Sequence, residues 1–275
     1  MSVILTVSLK KSKVPQNQKW TLRPDAPSNL HVTAVTDTTI TFAWDEVLAA
    51  DFYLLRLSGE TRARRFDSNQ AVVTGLVYDT VYSAKVSAVN GVIEGDSSNV
   101  VTQKTLLPKP IVSRYLYGES YINGSAVNAS NVTNCRLYRK GEMTALLTGT
   151  VTAGVLRIYV LGNVNIIPGN QYDIRAIDGN PNLPTSVPGM PTTITAELAK
   201  ITLNNVVASS GIVSGTTENN GQVRISVDGV NKTVFTATAT GVFSGSISGM
   251  VAGAVIKAEA KVGTIFPSYA EKVAT

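Results

Sequence analysis

Hydrophobic and polar positions alternate along most of this chain, in runs of four to nine residues separated by turn-forming clusters. Val3–Leu9 alternates first, with Val3, Leu5, Val7 and Leu9 on one side. A regular series follows: Asn29–Val35, Thr39–Trp44, Phe52–Leu57, Thr61–Phe66, Ala71–Thr74, Val81–Val89 and Asn99–Thr105. Asp37-Thr38 and Ser58-Gly59 punctuate it, and Ile40, Phe42 and Trp44 share a face. A period of two marks half-buried strands, and short strands with a turn signal every ten or so residues predict a β-sandwich. No stretch has the spacing of an amphipathic helix.

Beyond the linker Leu106-Leu107-Pro108-Lys109-Pro110, stiffened by two prolines, the same grammar recurs as a weak internal repeat. The last segment opens with Val213-Ser214-Gly215-Thr216-Thr217-Glu218 and continues with Val223–Val227 and Asp228-Gly229. Thr233–Thr238, Gly241–Ser244 and Val255–Ala260 complete it. Asp228-Gly229 suits a tight hairpin turn, because glycine accepts positive φ. Between linker and last segment, Ile122–Ala126, Cys135–Gly141 and Tyr172–Ala176 run in the same order, and the proline-rich stretch 181–191 is expected to be a loop. The expected organisation is an arm over residues 1–24 and domains over 25–107, 108–197 and 198–275.

Particular residues carry a resemblance. Pro27-Ser28-Asn29-Leu30, the run Thr38–Trp44, Tyr53-Leu54-Leu55 and, above all, Gly75–Gly91 are similar to the fibronectin type III family. The resemblance implies that Trp44 is the core tryptophan, that Leu76 plugs the bottom of the core, and that Tyr82 makes a tyrosine corner. The last segment resembles the bacterial immunoglobulin-like domains of large adhesins; the middle one departs further from that pattern. The implied fold class is all-β, a string of three tandem Ig-like/fibronectin type III β-sandwiches.

Composition removes several function classes. One cysteine, Cys135, among 275 residues cannot form an internal disulfide, so burial alone must hold the sandwiches together. The single histidine, His31, lies in an alternating strand, which leaves a Ser-His-Asp or Cys-His site without support. Zinc-type Cys/His spacing and phosphate-binding glycine loops are absent from the sequence. Asp45, Glu46, Asp51, Glu94 and Asp96 read as solvated loop charges, with Gly91–Asn99 expected to be a loop. No enzyme activity, cofactor or metal is expected.

A net charge of +5 is too small for a dedicated nucleic-acid binder but allows weak attraction to anionic surfaces. Arg56, Arg62, Arg64 and Arg65 form the one local basic cluster: either a patch for an acidic partner or the charge protection of an edge strand. Tyr115, Tyr117 and Tyr121 are either a sugar-stacking platform or core. The segment MSVILTVSLKKSK is a poor secretory signal, and no apolar run reaches membrane-spanning length.

The resulting expectation is a virion accessory protein of a bacteriophage, made in the host cytoplasm and displayed in many copies on capsid or tail. It would dock through the N-terminal arm and bind host-surface glycans weakly. An arm packed on its own chain, a bacterial surface or secreted adhesin, and a carbohydrate-binding accessory module remain the alternatives.

Overall fold

The computed structural model describes residues 22–179 and 187–275. The chain divides into two compact units. Of the described residues, the first comprises nearly all up to Lys104; the second comprises those from Thr105 to Thr275 with two short turns, Thr36–Thr38 and Val77–Asp79. Among the described residues, helix is confined to one 3-10 turn, Ala208–Ser210. The rest is strand and turn, so the protein is all-β.

The first unit contains β1 (His31–Val35), β2 (Ile40–Ala43), β3 (Phe52–Leu57), β4 (Arg64–Phe66), β5 (Gln70–Val73), β6 (Val81–Asn90), β7 (Ile93–Ser97) and β8 (Val101–Lys104). One antiparallel sheet has the order β1-β2-β5. The other has the order β4-β3-β6-β7, with β8 also paired to β6. Alternation makes the core: Ile40 and Phe42 from β2, Tyr53, Leu55 and Leu57 from β3, Ala71 and Val73 from β5, and Ala84, Val86 and Ala88 from β6 are buried together. Two sheets that each hide one face in this way form a sandwich.

Two expectations need correction here. The predicted basic strand Thr61–Phe66 is reduced to Arg64–Phe66. The predicted loop Gly91–Asn99 is mostly strand, because β7 pairs with β6 through Val89↔Glu94 and Asn90↔Ile93. Glu-Gly-Asp has low strand propensity, yet the ladder of a buried neighbour overrides it. At Ser98 the ladder is interrupted: its N–H donates to the Val86 carbonyl at 2.8 Å, and its hydroxyl accepts from the Val86 N–H at 3.1 Å. One serine thus joins β7 to β8 across a bulge.

In the second unit the middle domain contains β9 (Ile111–Val112), β10 (Tyr115–Leu116), β11 (Tyr121–Ser125), β12 (Asn134–Arg139), β13 (Ala145–Thr152), β14 (Val155–Tyr159), β15 (Gln171–Asp178), β16 (Val187–Pro188) and β17 (Thr192–Glu197). They hydrogen-bond in one order, β10-β17-β15-β12-β13-β14-β11-β9, with β16 on β15. β13 makes the curl, pairing with β12 through Ala145–Thr150 and with β14 through Thr150–Thr152. The two ends of the order, β9 and β10, are consecutive in the chain, so the sheet wraps around one core. Leu137, Leu156, Ile158, Tyr172 and Ile174 fill it.

The last domain contains β18 (Thr202–Leu203), β19 (Ile212–Thr216), β20 (Gln222–Val227), β21 (Val230–Thr236), β22 (Val242–Ser246), β23 (Val255–Val262) and β24 (Ile265–Val273). Its sheets have the orders β18-β19-β22 and β21-β20-β23-β24. The β20–β21 hairpin turns at Asp228 and Gly229, with φ of 48° and 78°, as the two-residue turn requires. Strand β24 was not legible as alternation. It is an edge strand, where Pro267 is tolerated, and its buried Ser268 hydroxyl donates to the Ala199 carbonyl at 2.7 Å.

Middle and last domains meet without a free linker. Ala199, Ala260 and Val262 form a small buried cluster against Leu116 and Ile201. Beside it, the backbones of Gly118 and Gly263 approach so closely that a Cβ on Gly263 would lie 2.3 Å from the Gly118 carbonyl oxygen. Arg114 spans the junction. Its Nε donates to Glu197 at 2.7 Å, and its two Nη atoms donate to Glu218 at 2.7 and 3.1 Å.

Candidate functional site

The candidate sites lie on surfaces of the β-sandwiches, and each surface depends on the core beneath it. Trp44 is 2% exposed and meets Tyr53 edge-on, with ring centroids 5.2 Å apart. The Tyr53 hydroxyl accepts the Val47 N–H at 2.9 Å, which ties the β2–β3 connection to the same aromatic pair. Leu76 is buried and Tyr82 half-buried against this core.

The expected docking residues Val3, Leu5, Val7 and Leu9 lie outside the described residues. Residues 22–24, which follow that segment in the chain, are described. Asn90 Nδ2 donates to the Leu22 carbonyl at 3.1 Å, and Arg23 pairs with Asp96 at 2.5 Å. Pro24 is buried over Gly95, where a Cβ would come within 2.3 Å of the Pro24 carbonyl oxygen. Glycine at position 95 therefore lets residues 22–24 seat against β7.

The arginine cluster is largely engaged by carboxylates. Arg56 grips Glu94 with Nη1 at 2.5 Å and Nη2 at 2.9 Å, and also donates to Ser87 Oγ at 3.0 Å. Arg64 Nε donates to Glu60 at 3.0 Å and its Nη1 to the Thr74 carbonyl at 2.9 Å. Arg65 pairs with Asp67 at 3.0 Å and lies 3.9 Å over the Phe52 ring. Arg62 precedes β4 and is exposed, with no partner among the described residues. Three of the four charges are thus locally offset, which suits the protected edge strand β4.

Three carboxylates are held below the ordinary carboxylate range. Glu94 is held there by hydrogen bonds from Arg56 and Ser87, Glu218 by those of Arg114, and Glu259 by the Arg224 guanidinium at 2.8 Å. A carboxylate depressed in the folded state stabilises it above the unfolded pKa and ceases to do so as pH falls through the folded pKa. Both units are therefore expected to keep their thermal midpoints from neutral pH down to about pH 5 and to lose stability below about pH 4. Circular dichroism melts across that range check this; midpoints that stay flat to the acid limit would contradict it.

The three expected aromatic residues part company. Tyr115 is in the core, where burial pushes its hydroxyl up to about 12. Tyr117 packs half-buried on that core. Tyr121 instead belongs to an open face of β11, β13 and β14. There it meets Tyr159 edge-on at 5.2 Å, and the Arg157 guanidinium lies 4.1 Å over its ring. Sequence reasoning passed over Arg157 and Tyr159, although the alternation of Val155–Tyr159 carried the signal. Arg114 had no local signal, its partners being 83 and 104 residues away.

His31 is exposed, its Nδ1 2.7 Å from the Asn29 carbonyl. Cys135 is buried, and burial pushes its thiol up to about 12. Among the described residues no three His, Cys, Asp or Glu side chains gather where a metal could sit. No helix among them is long and apolar enough to cross a membrane.

Comparison with known proteins adds the following. Residues 25–104 match the family model of the fibronectin type III domain. Over 87 residues the chain is 39% identical to a tail tube protein of Bacillus phage SPP1, across 30% of this chain and 31% of that protein. The chain thus spans about a third of the length of the curated relative it matches. Among solved structures, a two-domain fibronectin type III segment of chicken tenascin is 20% identical, covering 62% of this chain and 97% of that one at a TM-score of 0.35. The fibronectin type III domain of the human collagen alpha-1(XX) chain is 22% identical, covering 32% and 91% at a TM-score of 0.28. Residues 25–104 therefore form a fibronectin type III domain, in a chain that shares sequence with a phage tail protein.

Proposed function

We propose that this chain is a non-enzymatic structural component of a bacteriophage virion, carried on the tail. It docks through its N-terminal arm, Met1–Pro24, and holds its β-sandwich domains outward, where they contact host-surface glycans weakly and in many copies. The observation that carries this reading is the 39% identity with the SPP1 tail tube protein. The seating of Leu22–Pro24 on β7 supports the arm as the attachment, because it fixes the C-terminal end of the arm to the sandwich. Weak contacts suffice when many copies act together, because each bound copy raises the effective concentration of the rest.

The test uses virions assembled without the chain. The purified full chain is expected to co-sediment with them and to appear on the tail by immunogold microscopy. A variant lacking residues 1–21 is expected to fold but remain in the supernatant. Failure of the full chain to co-sediment would overturn the virion assignment; undiminished binding of the truncated form would overturn docking by the arm.

A further inference from the structure

Strands β11, β13 and β14 present an outer face unlike the rest of the middle domain. Their inward residues, Ile122, Val151, Leu156 and Ile158, are buried in the core. Outward, Thr148, Thr150, Arg157 and Tyr159 are exposed and Tyr121 is half-buried. They line one shallow depression over Gly149. The register places Tyr121 opposite Tyr159 and Thr150 opposite Arg157, so the group is built on three adjacent strands rather than on loops.

Three properties define what this face can hold. Tyr159 leaves 55% of its surface open while its neighbour Tyr121 fixes it from the side. Arg157 stacks on the Tyr121 ring, which sets the plane of the guanidinium without consuming its charge. No carboxylate pairs with it among the described residues, and the three strands contain no Asp or Glu. This contrasts with Arg56, Arg64, Arg65, Arg114 and Arg224, each of which is matched by an acid. An aromatic ring, hydroxyls and an unmatched planar cation occur together on one rigid face.

We infer that the Tyr121–Arg157–Tyr159 face binds an acidic polysaccharide of the uronate type, with a sugar ring stacked on Tyr159 and a carboxylate on the Arg157 fork. Residues 157 and 159 stand about 7 Å apart along one strand, a spacing within reach of a pyranose ring and a carboxylate it or its neighbour carries. Arginine matches a carboxylate with two parallel hydrogen bonds, and Thr150 adds a hydroxyl beside it. The inference locates the glycan contact of the reading above, and so rests on it in part. It is tested on the isolated chain, apart from any virion.

Oligogalacturonate is titrated into the full chain by calorimetry, with neutral dextran oligomers and poly(glycerol phosphate) as comparison ligands. Oligogalacturonate is expected to bind weakly, and less as salt is raised. Dextran lacks the charge and poly(glycerol phosphate) lacks the ring, so both should bind at least about tenfold more weakly. Arg157→Gln and Tyr159→Ala should each weaken oligogalacturonate binding by about the same factor, while Arg157→Lys should fall between. Circular dichroism should show the variants folded with midpoints near that of the parent. No binding of oligogalacturonate, equal binding of either comparison ligand, or unchanged binding by the folded variants would each overturn the inference. None of these results bears on whether the arm docks to virions.

Discussion

Calorimetry of a Trp44→Ala variant is expected to show the unfolding transition of the first unit displaced far downward, with that of the second unit unmoved. Trp44 is 2% exposed, sits edge-on to Tyr53 and closes the core formed by Ile40, Phe42, Leu55 and Val86. Its indole N–H has no hydrogen-bond partner among the described residues, so the ring acts through volume and contact. Truncating a buried aromatic to alanine costs about 3–5 kcal/mol, because the lost transfer free energy is joined by that of the cavity. In a domain of this size each kcal/mol moves the midpoint by roughly 4–8 °C. The sum reaches much of an ordinary domain's stability, so the first unit should be largely unfolded at 37 °C. Equal displacement of both transitions would mean that the two units unfold as one, against the division of the chain into two compact bodies.

The junction inside the second unit should be nearly as sensitive, at a residue with no side chain. Gly263 has φ of +56°, and a Cβ there would lie 2.3 Å from the Gly118 carbonyl oxygen. Gly263→Val adds a left-handed backbone penalty of about 1–2 kcal/mol and an overpacking cost of about 1–3 kcal/mol. Backbone opposes the new carbon, so the contact can be relieved only by separating the turn after β10, which carries Gly118, from the β23–β24 turn. The expected result is that middle and last domains, expected to unfold in one step in the parent because they share one compact unit, unfold in two steps, with protease cutting between Glu197 and Thr202. Arg114→Ala should do much less, since its ion pairs are about 41% exposed on the arginine side and such pairs are individually weak. A variant that melts in one step at the parent's midpoint would show that the glycine contact does not hold the domains together.

The sequence revealed what local periodicity encodes. Phe52–Leu57 was placed to the residue, the Asp228-Gly229 turn was readable from two letters, and the Trp44 and Leu76 core positions followed from family motifs. What escaped depends on partners distant in the chain. Strand β7 reads as a polar loop, because its pairing with β6 and the Pro24 contact on Gly95 are tertiary facts. β24 hides its period behind an edge position and a proline. Tyr115, Tyr117 and Tyr121 share a spacing, yet the curl of the middle sheet sends the first inward and leaves the last on an open face. Arginines that cluster in the sequence proved mostly matched by acids, whereas Arg157, alone in its strand, is not.

The seating of Pro24 on Gly95 bears on how the first unit meets mechanical load. Tension applied at Leu22 arrives first at Asn90, Asp96 and the backbone over Gly95, on the flank of the β6–β7 hairpin. Only after those contacts yield does it reach β1, whose ladder to β2 could otherwise be opened one bond at a time from its end. The sandwich is thereby tethered at its side, and tension loads several contacts together before any strand can peel.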